Sequence, residues 1–369
     1  MKRTMVAALS VVLVCGLPAT ARAADRERLG DVQEALDALA RRPGVLAAIG
    51  EARVDGRLVG RGSAGSRLRD GKGGKVSPDA RYRAGSQTKL MIGVAVLQLV
   101  KEGRIGLDDT LSELLPAVAG DAVVKKADEI TLRQLLRHTS GIPDWSVTMA
   151  ADPDRYLFTN VHRDYRPLEV VKMSSGLPRT GAPGERFSYS NTNYTLLGMI
   201  VEKVTGRSLP GELDRRVFRP LGMTRSYLST APGIKGRHAH SYVPDRSGRL
   251  RDVTRQNPSF GGAAGGVVST ARDLSAFARA YLRGTLLPPE LMKVLTDPPE
   301  GVPTGPQEKC DVHTNAGSFP GYISATVSSK DGRRQFALSV TFSGPDKLRG
   351  DALSDPEGMR KAAAAVLCP

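Results

Sequence analysis

The stretch Ser86-Gln87-Thr88-Lys89-Leu90-Met91-Ile92-Gly93-Val94-Ala95-Val96-Leu97-Gln98-Leu99-Val100-Lys101 is apolar on nearly every side after its first turn and stops before Gly103. That is the pattern of a helix buried in the centre of a domain. Its head carries the chemistry. Positions i and i+3 share a helix face, so the Ser86 hydroxyl and the Lys89 ammonium can meet. Free N–H groups and the helix dipole in the first turn favour negative charge developing at Ser86. A partly desolvated lysine loses pKa and can take or relay the serine proton. A Ser and a Lys at this spacing recur by chance in long chains, but no other Ser in this chain has a Lys three residues on.

Working outward, the segment before the helix reads as a small sheet with a helix. Asp31 to Arg41 is amphipathic, with Val32, Leu36 and Leu39 on one face. Val45–Val54 and Leu58–Ser63 read as strands joined at Asp55-Gly56, a strong hairpin signal. Ser66 to Ser77 is rich in Gly, Lys and Arg and reads as a loop. Residues 105–255 read as helical pieces and loops, with helices at Leu132–Arg137 and Thr192–Val204. Thr270-Ala271-Arg272-Asp273 caps a helix running to Leu282. Strands then return at Tyr322–Ser328 and Arg334–Thr341 around Asp331-Gly332, and a helix over Pro356–Val366 follows. The expectation is one α/β unit made from about 24–104 and 256–369, an antiparallel sheet flanked by helices, with an all-α insertion over about 105–255.

A second chemical element lies in Pro183-Gly184-Glu185-Arg186-Phe187-Ser188-Tyr189-Ser190-Asn191-Thr192-Asn193-Tyr194. A turn delivers Tyr189 and then Asn191 to the start of an apolar helix. Without its neighbours this segment would read as an Asn191 N-cap preceded by a packed tyrosine. With Ser86 and Lys89 upstream, the chain resembles the penicillin-recognising serine hydrolases, in the branch of class C β-lactamases, D-alanyl-D-alanine carboxypeptidases and related esterases. Further matches are Leu135-Leu136-Arg137-His138-Thr139-Ser140-Gly141-Ile142-Pro143, Gly198 to Gly206, Pro220-Leu221-Gly222-Met223 and Gly265-Gly266-Val267-Val268-Ser269-Thr270. The resemblance implies a β-lactamase/transpeptidase-like fold. It also implies an acylated Ser86, an activating Lys89, a proton-shuttling Tyr189 and an Asn191 that binds the substrate amide. Lys89 and Tyr189 are treated as one proton-transfer unit.

The family's third element is Lys- or His-Thr-Gly on an edge strand, and here the chain departs. Residues 313–318 read His-Thr-Asn-Ala-Gly-Ser. By appearance His313-Thr314-Asn315 aligns; by spacing to Gly321-Tyr322, Asn315-Ala316-Gly317 does. The second is preferred, because Gly317 supplies the glycine that lets substrate approach the strand. The N–H of Ser318 would then complete an oxyanion hole with that of Ser86. A neutral Asn315 replaces the usual cation, so carboxylate capture would fall to His313 or a nearby Arg.

The 369 residues carry a formal charge of +15. Met1-Lys2-Arg3, the apolar Met5 to Leu17 and Ala21-Arg22-Ala23 form a signal-peptide pattern over residues 1–23. Losing Lys2, Arg3 and Arg22 with it lowers the charge to +12. Export would let Cys310 and Cys368 pair, and loop-entropy reasoning gives roughly 4 kcal/mol for a loop of that length. After cleavage no apolar run of membrane length follows, so no membrane anchor is expected. Basic residues are dispersed and aromatics are 5%, which excludes a nucleic-acid binder. The charge fits anionic cell-wall polymers as neighbours instead. No G-x-S-x-G elbow and no H-e-x-x-H spacing occur, and Gly60 to Gly65 fits G-x-G-x-x-G without the following apolar helix. No cofactor or metal is expected, and His138 reads as a structural hydrogen-bonding residue. The activity expected is that of a secreted serine D-alanyl-D-alanine carboxypeptidase on small peptides, with an esterase or β-lactamase as the alternative.

Overall fold

The computed structural model describes residues 29–120, 123–297, 312–343 and 356–368. Residues 1–23 and Cys310 lie outside them, and with them the signal segment and one partner of the expected disulfide.

Helix α1 (Val32–Ala40) starts where Asp31 accepts the Glu34 N–H at 3.0 Å. Strands β1 (Val45–Val54) and β2 (Arg57–Gly65) form an antiparallel hairpin around Asp55-Gly56. A two-residue strand, β3 (Tyr82–Arg83), leads through a tight 3-10 turn, Gly85–Gln87, into α2 (Thr88–Lys101). Met91, Ile92, Val94, Ala95, Val96, Leu97 and Leu99 of α2 are all buried, as an all-round apolar helix must be. The long helix of the middle region is α3 (Asn191–Thr205). Beyond it come β4 (Tyr227–Leu228), the small hairpin β5 (Tyr242–Pro244) and β6 (Leu250–Asp252), β7 (Val267–Ser269), α4 (Ala271–Leu282) and α5 (Pro289–Thr296). Strands β8 (Val312–Phe319), β9 (Tyr322–Ser329) and β10 (Arg334–Phe342) precede α6 (Pro356–Leu367).

β1 pairs antiparallel with β10, so the five-stranded sheet runs β2-β1-β10-β9-β8 and joins strands from both ends of the described chain. One face packs on α1 and α6 through Leu36, Ala48, Ala325, Phe336, Leu338 and Val366. The other faces α4 and the start of α2. The largest apolar core lies on that side, around α2, α3 and α4.

The middle of the chain is less uniformly helical than expected. β4 pairs with β7, and β7 pairs with β3 through Tyr82↔Ser269, which ties this region to the strand that delivers the Ser86 turn. The hairpin of β5 and β6 is a second β element within residues 105–255. Strands of two or three residues are too short to show a period of two, so the sequence carries no pattern for them.

Candidate active site

The 3-10 turn that carries Ser86 is wedged against the edge strand β8. A Cβ on Gly317 would lie 2.5 Å from Ser86 N and collide with Ala84 O. A Cβ on Gly85, whose φ is +56°, would lie 2.6 Å from Ser318 N. Two backbones thus meet with no side chain between them, which only glycine on both sides permits. This adds a reason for Gly317: besides lining the cavity, as a substrate approach would require, it admits the nucleophile's turn. The N and O of Ser318 face Gly85, on the edge of β8 that no further strand covers.

Below the turn, Gln87 docks it to the sheet. Its Nε2 donates to Ser324 Oγ at 2.7 Å, and its Oε1 accepts from Thr326 Oγ1 at 2.8 Å. Ser324 Oγ in turn donates to Ala84 O at 2.9 Å. The turn is therefore held on two sides by strands from the far end of the chain.

Ser86 Oγ lies 3.2 Å from Lys89 Nζ and accepts from Tyr189 OH at 2.9 Å. Lys89 Nζ also donates to Asn191 Oδ1 and to Ala264 O, each at 2.7 Å. Lys89 and Tyr189 therefore converge on one hydroxyl, and Asn191 joins the same hydrogen-bonded cluster through Lys89. Asn191 is not the helix cap: Ser190 holds that position, and the Asn191 side chain turns inward to Lys89. Burial pulls the Lys89 ammonium down to about 7, with the charge of Asp144 opposing that fall. Tyr189 is pushed the other way, up to about 12, chiefly by burial of its hydroxyl. The residue as a whole is nevertheless 43% exposed, and it lines the cavity.

His138 lies under that tyrosine, its ring stacked on Tyr189 at 4.6 Å between centroids. Its Nδ1 accepts from the Ser190 N–H at 3.1 Å and lies 3.3 Å from Asn193 Nδ2. Burial and the nearby Lys89 hold it neutral, with a pKa down at about 3. The structural role read for it is thus a specific one, under the general acid/base tyrosine candidate.

A cavity of about 610 Å³ opens over the cluster. Ser86, Lys89 and Tyr189 line it with Asn315, Ala316, Gly317 and Ser318 of β8. Leu90, Leu136, Leu295 and Ile323 give it apolar walls. His313 is not among the lining residues; it packs on Tyr281 of α4, 6.1 Å between ring centroids, and burial lowers its pKa. Among the described residues the charged side chains lining the cavity besides Lys89 are Arg137 and Asp297. Arg137 Nη1 donates to Val294 O at 3.3 Å.

Asp144 carries no signal in the sequence, yet both its carboxylate oxygens accept from Asn191 Nδ2, at 2.9 and 3.2 Å. Only the crossing of two distant loops brings it there, which no local spacing encodes. Arg137 was visible as part of a matching stretch, but nothing in its neighbours told that it faces the cavity. Cys368 directly follows α6, and its pairing with Cys310 lies outside the described residues. Among the described residues there is no group of three His, Cys, Asp or Glu side chains that could hold a metal, and no helix long and apolar enough to cross a membrane.

The beta-lactamase family model matches residues 32–322. The protein flp of Staphylococcus aureus (strain N315) is 36% identical over 152 residues, 41% of this chain and 29% of that protein. Penicillin-binding protein 4 of Amycolatopsis lactamdurans is 31% identical over 225 residues, 60% of this chain and 56% of that one. The matches thus span about three tenths and somewhat over half the length of these relatives. Among solved structures, a D-stereospecific amidohydrolase from Streptomyces sp. superposes with a TM-score of 0.78 at 31% identity, over 91% of this chain and 98% of that one. With a serine, lysine and tyrosine meeting at the mouth of one cavity, on a sheet closed by both ends of the chain, this protein belongs to the beta-lactamase family and is a penicillin-recognising serine hydrolase by fold and family.

Proposed function

We propose that the protein cleaves amide bonds of D-configured substrates through an acyl-enzyme on Ser86, with peptides ending in D-Ala-D-Ala as the leading class. The observation that carries this reading is the contact of Ser86 Oγ with both Lys89 Nζ (3.2 Å) and Tyr189 OH (2.9 Å), beside the backbone N–H of Ser318. Neutral Lys89 takes the proton as Ser86 Oγ bonds to the substrate carbonyl carbon. The resulting oxyanion rests on the N–H groups of Ser86 and Ser318. Tyr189, protonated because its pKa is high, gives its proton to the leaving nitrogen as the C–N bond breaks, and regains one from Lys89. Water then resolves the ester by the same path in reverse. Among the described residues Arg137 is, with Lys89, a cationic side chain lining the cavity, and it is the candidate to face a substrate carboxylate where β8 carries the neutral Asn315.

A second reading is a D-amino-acid amide or an ester with no free carboxylate. The neutral Asn315 and the end-to-end likeness to the Streptomyces amidohydrolase favour it. The reading also includes export on residues 1–23, a Cys310–Cys368 bond formed there, and salt-sensitive attraction of the basic surface to anionic wall polymer. The basic, apolar and small-residue order of the N-terminus supports it.

The deciding experiment offers purified protein labelled penicillin, a peptide ending in D-Ala-D-Ala, a D-amino-acid amide and a short-chain ester. Stable labelling of Ser86 with release of D-alanine supports the carboxypeptidase. Amide or ester cleavage without D-alanine release selects the second reading, and rapid penicillin turnover selects a β-lactamase. Ser86→Ala should lower every one of these rates by at least about 10³-fold. Full activity in that variant refutes the mechanism.

A further inference from the structure

Asn191 stands between an amine that donates to its oxygen and a carboxylate that accepts from its nitrogen. Lys89 Nζ donates a hydrogen bond to its Oδ1, 2.7 Å away, and the Asp144 carboxylate oxygens accept from its Nδ2 at 2.9 and 3.2 Å. Reversing the amide would set N–H against ammonium and oxygen against carboxylate, so its direction is fixed from both ends. Asp144 is itself held. Its Oδ1 accepts the Ser146 N–H at 2.9 Å, and the neighbouring backbone is clipped to the start of α3. There Thr192 Oγ1 accepts from Trp145 N at 3.1 Å and donates to Pro143 O at 2.8 Å. Among the described residues no arginine or lysine lies within ion-pair distance of Asp144, and Lys89, whose ammonium feels its charge, lies one amide away.

We propose that Asp144 is a positioning residue: it orients the Asn191 amide and serves as the counter-charge of Lys89, and so sets the protonation of the Ser86–Lys89–Tyr189 unit without touching substrate. The inference rests on the acyl-enzyme reading above and adds a residue to it. The titratable groups around Lys89 are Asp144 on the loop before the Ser146–Ala151 helix, His138, which lines the same cavity, and the rings of Tyr189 and Tyr194 at 4.9 and 5.7 Å. Arg137 and Asp297 line the same cavity. Of these, Asp144 is the negative charge acting on Lys89, opposing the effect of burial. Removing that charge makes Lys89 lose its proton more readily. Whichever limb of the rate profile Lys89 governs must then move toward lower pH.

The test measures acylation by labelled penicillin, or by the substrate that proves active, across about pH 5 to 10 for the intact protein, Asp144→Asn and Asp144→Ser. Folding of each variant is checked by its thermal transition. The expected result is a Lys89 limb displaced downward by about one pH unit, with a plateau about 10-fold or more lower as the amide loses its fixed direction. Two variants are used because they fill the site differently, Asn keeping the shape and Ser leaving room for water. A folded variant with an unmoved limb overturns the proposal even where its rate falls, since a merely structural residue lowers rates without moving the profile. Absence of acylation in the intact protein would instead refute the acyl-enzyme reading on which the inference rests.

Discussion

On β9 the side chains of Ile323, Ala325 and Val327 meet α1 and α6, whereas Tyr322, Ser324, Thr326 and Ser328 face the half of the molecule that carries Ser86. On β10 Phe336, Leu338 and Val340 join the first set, and Gln335, Ser339 and Thr341 the second. All of these residues are buried. Strict alternation of apolar and polar residues ordinarily marks a strand with one face in water. Here the polar face is covered too, and part of its hydrogen-bonding capacity is directed at the turn of the nucleophile. One face of the sheet holds the fold together by contact area; the other uses hydroxyl and amide groups to place a backbone turn. The first is tolerant in detail and sensitive to volume, the second the reverse.

That contrast can be broken by mutation. The largest effect is expected on the apolar face: Phe336→Ala removes a fully buried ring and should cost about 3–5 kcal/mol of stability. Denaturant titration reads the loss, while acylation by the folded fraction stays at its original rate. A large fall in that rate would mean that the two faces are not separable. Next comes Gly317→Ala, whose methyl must push Ser86 N and Ala84 O away from β8. Acylation should fall about 10²- to 10³-fold, as for a lost oxyanion donor, with a stability cost of about 1–3 kcal/mol. Unchanged kinetics would show that the close approach of the two backbones does not place the nucleophile. The smallest effect is expected for Gln87→Ala, which leaves buried Thr326 Oγ1 without its acceptor and should cost about 1–3 kcal/mol. Because Gln87 belongs to the polar face, the variant should also lose acylation rate, in a stopped-flow comparison with Phe336→Ala. Equal rates in the two would erase the distinction.

Much of this frame was legible. The hairpin at Asp55-Gly56, the buried helix after Ser86, the cap at Thr270 and the paired strands of the C-terminal region each carry a local period or a local cap, and each lies where expected. Ser86, Lys89, Tyr189 and Asn191 were found because two short motifs have recognisable neighbours. What escaped was set by packing between segments far apart in sequence. Asp144 meets Asn191 across two loops, His138 meets Tyr189 by stacking, and Gln87 reaches strands more than two hundred residues downstream. His313 shows the converse. Its residue type suited an anion site, but it packs on the ring of Tyr281, a contact that no local pattern shows. Gly317 was selected by spacing and by the family's motif glycine, and its contact with the Ser86 turn is a second demand on it that no local pattern shows.

The pairing of β1 with β10 has a consequence in time. A ribosome releases Ser86 early, while Gly317, Ser324 and Thr326 emerge only after nearly all the helical middle. Such long-range pairing makes closure a late event in folding. Until it happens, the serine hydroxyl is an ordinary alcohol on an undocked turn, with neither the wall of β8 nor the hydroxyls of β9 beside it. Reactivity in this protein is therefore a property acquired by the finished chain, and a growing or truncated one carries the nucleophile in a dormant form.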